Sequence, residues 1–186
     1  MVCVSRSLTR HAWWLGAELV ALAVLATLLV TAGRPPAPLS EGELRAQLAE
    51  RVVAALEQAS PTEHHDHGHA ITAEQRTACV AEVFGVDPPG ATRLTEVKEV
   101  YAQYICASGV PGTVFALSSR SAGPVVLGLT DPPTVRVPHG QGYAAQVREM
   151  MPDQYEEQAF AGFLDQSVPD RLWPRYEAQV SGNLPN

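Results

Sequence analysis

The chain has 186 residues, of which 46% are hydrophobic, 18% charged and 6% aromatic. This length is enough for one domain with additional segments, since domains commonly run about 100–150 residues. The formal net charge of −7 argues against nucleic-acid binding, because affinity for phosphate backbones comes mostly from clustered lysine and arginine. Three cysteines are too few for a disulfide-dense mini-protein or a four-cysteine zinc site.

An apolar segment lies close to the N-terminus, at residues 13–31, and Glu18 is its only charge. Its length matches the roughly 20 apolar residues with which a helix spans a bilayer. Arg6 and Arg10 precede it, so the positive-inside rule places the N-terminus in the cytoplasm and the rest of the chain outside. We therefore predict a cytoplasmic segment (1–12), a transmembrane helix (13–32) and a single-pass protein of the cell membrane.

The same segment has a second interpretation, as a cleaved secretory signal peptide. Val30 and Ala32 stand at the two positions that signal peptidase requires for cleavage after Ala32. The apolar run is longer than the roughly 7–15 residues of a typical signal peptide, which favours an uncleaved anchor. The alternative location is therefore secretion after cleavage.

Cys79 and Cys106 are the two cysteines that this topology leaves outside the cytoplasm, because Cys3 precedes the membrane segment. Two cysteines in an oxidising compartment have one intramolecular pairing. We predict a structural Cys79–Cys106 disulfide, the alternative being two buried free thiols. The sequence has no C-x-x-C motif that would indicate a redox role.

Residues 33–71 are predicted to contain a proline-rich spacer, an amphipathic helix and a histidine-rich linker. Ser40 and Glu43 have the spacing of a capping box, which predicts a separate helix over residues 39–59. One apolar stripe follows on this helix, formed by Leu44, Leu48, Val52 and Leu56. The stripe packs on the chain's own domain or, in the other interpretation, residues 44–56 bind a partner protein or a second copy in a homodimer.

Four histidines of the linker lie close together: His64, His65, His67 and His69. Neutral imidazole binds Zn, Cu and Ni, and the carboxylates of Glu63 and Asp66 offer further oxygen ligands. The composition favours a solvated linker, with a modest divalent transition-metal site as the alternative. No other cofactor is predicted.

The remaining residues, 72–186, predict an extracytoplasmic α+β domain in which a small antiparallel sheet packs with helices. Thr72 and Gln75 repeat the capping-box pattern, which predicts a helix that continues to Phe84. Strands are predicted over residues 97–107, 113–117, 124–129 and 134–137, with a loop over 118–123. The first of these also has helical spacing, but its valine, tyrosine and isoleucine content favours a strand.

The C-terminal part is predicted to be helical with breaks. Helices are expected over residues 142–151, 153–163 and 170–180. Ser167 and Pro169 have the composition of a helix start, and Pro174 is expected to kink or restart the last helix.

A resemblance is carried by three short features. They are Val83-Phe84-Gly85-Val86-Asp87, the Pro-Gly turn after it, and Glu99-Val100-Tyr101-Ala102 leading to Cys106. On these residues, the region from Thr72 to Val137 resembles uncharacterised membrane-anchored or secreted proteins of high-GC Gram-positive bacteria. The resemblance implies no activity and no functional residue.

Motifs of known catalytic and nucleotide-binding sites are absent from the sequence. It contains no G-x-S-x-G, no P-loop, no G-x-G-x-x-G and no H-E-x-x-H. The sequence therefore favours a non-catalytic binding or assembly role. A surface metal-binding protein is the second interpretation, and a hydrolase without a recognisable motif is the third.

Overall fold

The structure, a computed structural model, describes residues 37–60, 62–63 and 71–182. From Pro38 onward, these residues belong to one compact unit. Within the described ranges, no helix is long and apolar enough to cross a membrane. The predicted transmembrane helix and the His64–His69 tract lie outside these ranges, so both stay predictions.

Helix α1 (Glu41–Gln58) confirms the predicted capping box. Ser40 Oγ accepts a hydrogen bond from the Glu43 N–H at 3.3 Å, and the Glu43 carboxylate accepts one from the Ser40 N–H at 3.0 Å. These bonds satisfy backbone donors that the start of a helix leaves without partners. The Ser40 hydroxyl also donates to the Glu43 carboxylate at 2.6 Å, and this bond and the one from the Ser40 N–H hold the pKa of Glu43 below its usual value.

The sheet has four antiparallel strands in the order β1-β2-β3-β4, which confirms the predicted α+β class and antiparallel sheet. The strands are β1 (Arg76–Asp87), β2 (Glu99–Gly109), β3 (Ser119–Gly128) and β4 (Thr134–Arg136). Consecutive strands are neighbours, so the sheet is a simple meander in which β1 and β4 are the edges.

Helix α1 covers one face of the sheet and is not the separate helix that the sequence predicted. Its apolar stripe is buried, and Leu48 has no exposed surface. The stripe packs in one cluster with side chains of the three long strands, among them Val83, Val100 and Val125. The helix joins the domain because four-residue spacing places the whole stripe on one side, and the sheet offers apolar surface there.

Short helices cover the opposite face. They are α2 (Tyr143–Met150), α3 (Asp153–Ala161), α4 (Ser167–Asp170) and α5 (Leu172–Tyr176), followed by a π-helical turn (Glu177–Ser181). Pro174 lies in the first turn of α5, where its missing N–H breaks no helical hydrogen bond. The break before α5 agrees with the prediction that the last helix restarts near Pro174. Tyr176, the last residue of α5, is fully buried against the sheet. The ring of Phe115 meets the Tyr176 ring edge-on, with the ring centres 5.4 Å apart.

The helix predicted over residues 72–84 is wrong, because this segment forms a turn and then β1. The Thr72 N–H donates to Gln75 Oε1 at 2.8 Å, and the Gln75 N–H returns to the Thr72 carbonyl oxygen at 3.0 Å. The capping pattern is thus satisfied within a single turn. The residues after it are buried on both faces of the strand, an arrangement that an amphipathic helix cannot provide.

The β2–β3 connection also differs from the prediction. Residues 113–117 are not a strand, since they contain a short 3₁₀ turn (Phe115–Leu117). Residues 118–123 are not a loop, since from Ser119 onward they form the first half of β3, where Ala122 faces Ile105 of β2. Backbone pairing with β2 determines this outcome, because the serine, alanine and glycine side chains of the segment do not favour strands.

Candidate functional site

Strand β1 is the long edge of the sheet, and no strand among the described residues pairs with its outer side. It has 12 residues and pairs with β2 on one side, whereas the other edge strand, β4, has three residues. A long edge strand presents a row of backbone N–H and C=O groups with which another chain can pair. The outer side of β1 is therefore the place where the sheet can accept a further strand.

A groove runs along this outer side, between α1 and the helices of the opposite face. It consists of a cavity of about 510 Å³ beside residues 79–83 and one of about 530 Å³ beside residues 84–86. The two cavities follow each other along β1 and share Arg45 in their lining, and we call them together the edge groove. Ala46, Ala49 and Val53 belong to its α1 wall, and Tyr155, Val168 and Arg175 to the opposite wall.

One end of the edge groove is closed by a hydrogen-bonded ion pair. Glu57 Oε1 accepts a hydrogen bond from the Cys79 N–H at 2.8 Å. Arg175 donates to both carboxylate oxygens of Glu57, at 2.9 and 3.0 Å, and this interaction raises the pKa of Arg175. Glu57 therefore satisfies an outward-facing backbone donor of β1 and connects α1 to α5.

Charges along the edge groove are nearly balanced and interact within the chain. Its lining contains three arginines and four carboxylates, namely Arg45, Arg171, Arg175, Glu41, Glu50, Glu82 and Asp165. Arg45 lies 2.6 Å from Glu41, and Glu82 accepts hydrogen bonds from the N–H groups of Leu164 and Asp165. Hydrogen bonds from the Ser167 side chain and backbone lower the pKa of Asp165. The edge groove therefore has no strong excess of either charge.

A bulge in β1 shapes the second cavity. The pairing of β1 with β2 shifts between Val83 and Gly85. A side chain at Gly85 would meet the ring of Tyr155, since an added Cβ would lie 2.5 Å from that ring. Glycine thus allows Tyr155 to lie directly on the strand, where its ring is also 5.1 Å from that of Tyr101.

The predicted Cys79–Cys106 disulfide is present, and the two Cα atoms are 4.1 Å apart. The two cysteines face each other on β1 and β2, so the bond joins neighbouring strands and not a helix to the sheet. This difference follows from the replacement of the predicted helix by β1. Cys79 also lines the edge groove, so the disulfide holds the edge strand in place near the closed end.

The predicted metal ligands His64, His65, His67 and His69 lie outside the described residues. Glu63, which the structure does describe, accepts a hydrogen bond from the Ser60 N–H at 2.6 Å. Among residues 37–60, 62–63 and 71–182, no group of three or more histidine, cysteine, aspartate or glutamate side chains is arranged to hold a metal ion.

The edge groove is suited to binding through its backbone and its apolar walls. The described residues that line it include no serine, no histidine and no free cysteine. What it offers is the outer edge of a strand between two walls of helices.

Comparison with known proteins finds no matching family model, no similar curated protein and no similar solved structure. The edge groove itself was not predictable from a motif. Ala49, Ala81 and Val168 are ordinary apolar residues, and they meet only after α1 and the C-terminal helices have packed on opposite faces of the sheet. The valine-rich composition after Thr77 is the one signal that indicates a strand there.

Proposed function

We propose that the protein is a single-pass, membrane-anchored extracytoplasmic protein with a non-catalytic role, in which it binds another protein through the edge groove. The observation that carries the binding role is the long outer edge of β1, which lies unpaired between two walls of helices. Natural proteins usually shorten, charge or cover such an edge. The β1 edge is recessed between helices, but cavities of about 510 and 530 Å³ lie beside it, and this space favours its use as a binding surface.

Two observations support the extracytoplasmic location. The apolar residues 13–31 follow Arg6 and Arg10, and this order favours a cytoplasmic N-terminus. A disulfide between adjacent strands is typical of proteins that fold in an oxidising compartment. Secretion after cleavage at Ala32 is the alternative, and the disulfide supports it equally.

The location is tested with a tag at the C-terminus of the full chain. Protease added to intact protoplasts should digest the tagged domain, because the proposed topology places it outside the membrane. Full protection from the protease would contradict the proposal. A mature chain that begins at Gly33 would support the secreted alternative.

The binding role is tested by a photo-crosslinking amino acid placed at Ala46, on the exposed lip of the edge groove, in living cells. A crosslinked protein should form from position 46 and not from the exposed Gln47, which does not line the edge groove. Ala49→Arg, which fills the edge groove, should abolish the crosslink. Ala54→Arg is the matched control, because Ala54 is also half-buried on α1 but lies on its other side. A crosslink that survives Ala49→Arg would overturn the binding role of the edge groove.

The histidine tract supports a second candidate function, which is modest binding of a divalent transition metal. Four imidazoles within residues 64–69 are the observation that favours it. Zinc binding measured by titration should weaken as the pH falls through about 6.5, because protonated imidazole cannot bind a metal.

Deletion of residues 63–69 should abolish this zinc binding and leave the melting temperature of the domain almost unchanged. The reason is that the buried core seen in the described ranges and the disulfide use residues outside the tract. Affinity that persists after the deletion would place the metal ligands elsewhere. Unfolding of the deleted variant would instead show that the tract is structural.

A further inference from the structure

We infer that the occupant of the edge groove is an extended, uncharged peptide segment of another protein, about seven residues long, that adds to β1 as a fifth strand. The inference rests on the proposed binding role and specifies its partner. Four features of β1 and the edge groove support it: the direction of the backbone N–H groups, the depth of the edge, the length of the edge and the side chains that line the groove.

The backbone of β1 directs hydrogen-bonding groups into the edge groove. The Cys79 N–H points away from β2, since its acceptor is Glu57 and not a residue of the sheet. Successive residues of a strand alternate in direction, so Ala81 and Val83 also point their N–H groups outward. No side chain among the described residues is seen to accept a hydrogen bond from either group, unlike the Cys79 N–H. Both therefore point into the edge groove, toward the place that the backbone of an added strand would take.

The depth of the edge selects a single strand as the occupant. Ala81 is 7% exposed and Val83 is 4% exposed, although both stand on the edge strand of the sheet. The edge is therefore recessed between α1 and the C-terminal helices. A second copy of the chain has the same recess, and two recessed edges cannot approach to the roughly 4.8 Å that strand pairing requires. A single extended segment carries no such walls of its own, so this obstacle does not apply to it.

The length of the edge sets the length of the segment. The two cavities lie beside residues 79–86 of β1. At about 3.3 Å per residue this stretch spans about 23 Å, which about seven residues of an extended partner cover. The closed end at Glu57 limits the segment on one side.

The lining sets the chemistry of the segment. The α1 wall presents Ala46, Ala49 and Val53, against which a charged side chain would lose its hydration without gaining a partner. Arg45 and Arg175 already interact with Glu41 and Glu57, so the edge groove offers no free field of one sign. Small or β-branched uncharged residues match these three apolar side chains of the α1 wall, and proline is excluded where the partner must donate an N–H.

The test uses the full-length protein in detergent and a random heptapeptide library displayed on phage, selected on the unmodified protein alone. Selected peptides are synthesised with a fluorescent label, and their dissociation constants are measured by fluorescence anisotropy. We expect uncharged sequences whose affinity falls at least about tenfold on Ala49→Arg and stays within about twofold on Ala54→Arg.

Ala81→Pro tests the backbone pairing directly. It removes the outward N–H, and the β1–β2 hydrogen bonds are kept because proline is tolerated at an edge position whose N–H faces outward. Affinity should fall about tenfold on Ala81→Pro and stay within about twofold on Ala81→Ser, which keeps the N–H. Thermal melting of each variant verifies that it is folded.

Equal peptide affinity of the Ala81→Pro and Ala81→Ser variants would overturn strand addition. A selection that yields only charged peptides, or only peptides whose affinity is unchanged by Ala49→Arg, would overturn it as well. This failure is distinguishable from failure of the proposed function. A crosslink from position 46 that is lost on Ala49→Arg keeps the binding role even if the partner does not pair with β1.

Discussion

Replacing both Cys79 and Cys106 with alanine should lower the free energy of unfolding by about 3.6 kcal/mol, because the disulfide restricts the unfolded chain. The two residues are 27 positions apart, so the bond closes a loop of intermediate length in the unfolded state. For a domain of this size the corresponding fall in melting temperature is about 10 °C. Thermal unfolding followed by circular dichroism measures it.

Reduction of the unmodified protein provides the control for this prediction. Addition of dithiothreitol should lower its melting temperature by about as much as the double substitution does, and it should leave the substituted protein unchanged. The single variant Cys79→Ala should already show most of the loss, since one missing cysteine breaks the bond. Equal melting temperatures for the oxidised and reduced protein would refute a stabilising role.

Leu48→Ala should destabilise the domain by about 3 kcal/mol, within the range of about 2–5 kcal/mol observed for buried leucine. Leu48 has no exposed surface and belongs to the cluster between α1 and the sheet, so its truncation removes apolar contacts and leaves a cavity. Urea unfolding monitored by circular dichroism gives the change in the free energy of unfolding.

Gln47→Ala is the matched control, because Gln47 is exposed on the same turn of α1. It should change the free energy of unfolding by less than about 0.5 kcal/mol, as surface substitutions usually do. If Leu48→Ala were no more destabilising than Gln47→Ala, α1 would not be packed on the sheet. That result would restore the interpretation of the stripe as a surface for a partner.

Local patterns in the sequence were sufficient for α1 and for the disulfide. The capping box at Ser40 and Glu43 and the four-residue spacing of the stripe involve residues within one or two turns, and the helix forms where they indicate. The disulfide followed from the small number of cysteines that the predicted topology leaves outside. Strand β2 was predicted from its valine, isoleucine and tyrosine content, which suits a pleated and buried surface.

The same kind of local pattern failed at Thr72 and Gln75. Their hydrogen bond forms as predicted, but a capping interaction fixes only the turn that it closes. Whether a helix or a strand follows depends on what buries the next residues, and here β2 supplies pairing partners from Arg76 to Asp87. The first half of β3 was missed for the same reason, because its backbone pairs with β2 while its small side chains carry no strand signal.

The position of α1 and the edge groove were decided by tertiary structure alone. The sequence determined that α1 has an apolar stripe, whereas the packed sheet determined that the stripe is buried in the same chain. The edge groove exists because α1 and the C-terminal helices cover opposite faces and leave the outer side of β1 between them. Its walls come from segments that are far apart in the sequence, such as those of Ala49 and Val168. These residues come together only when whole layers of the domain pack. No spacing within a short stretch of sequence encodes such a contact.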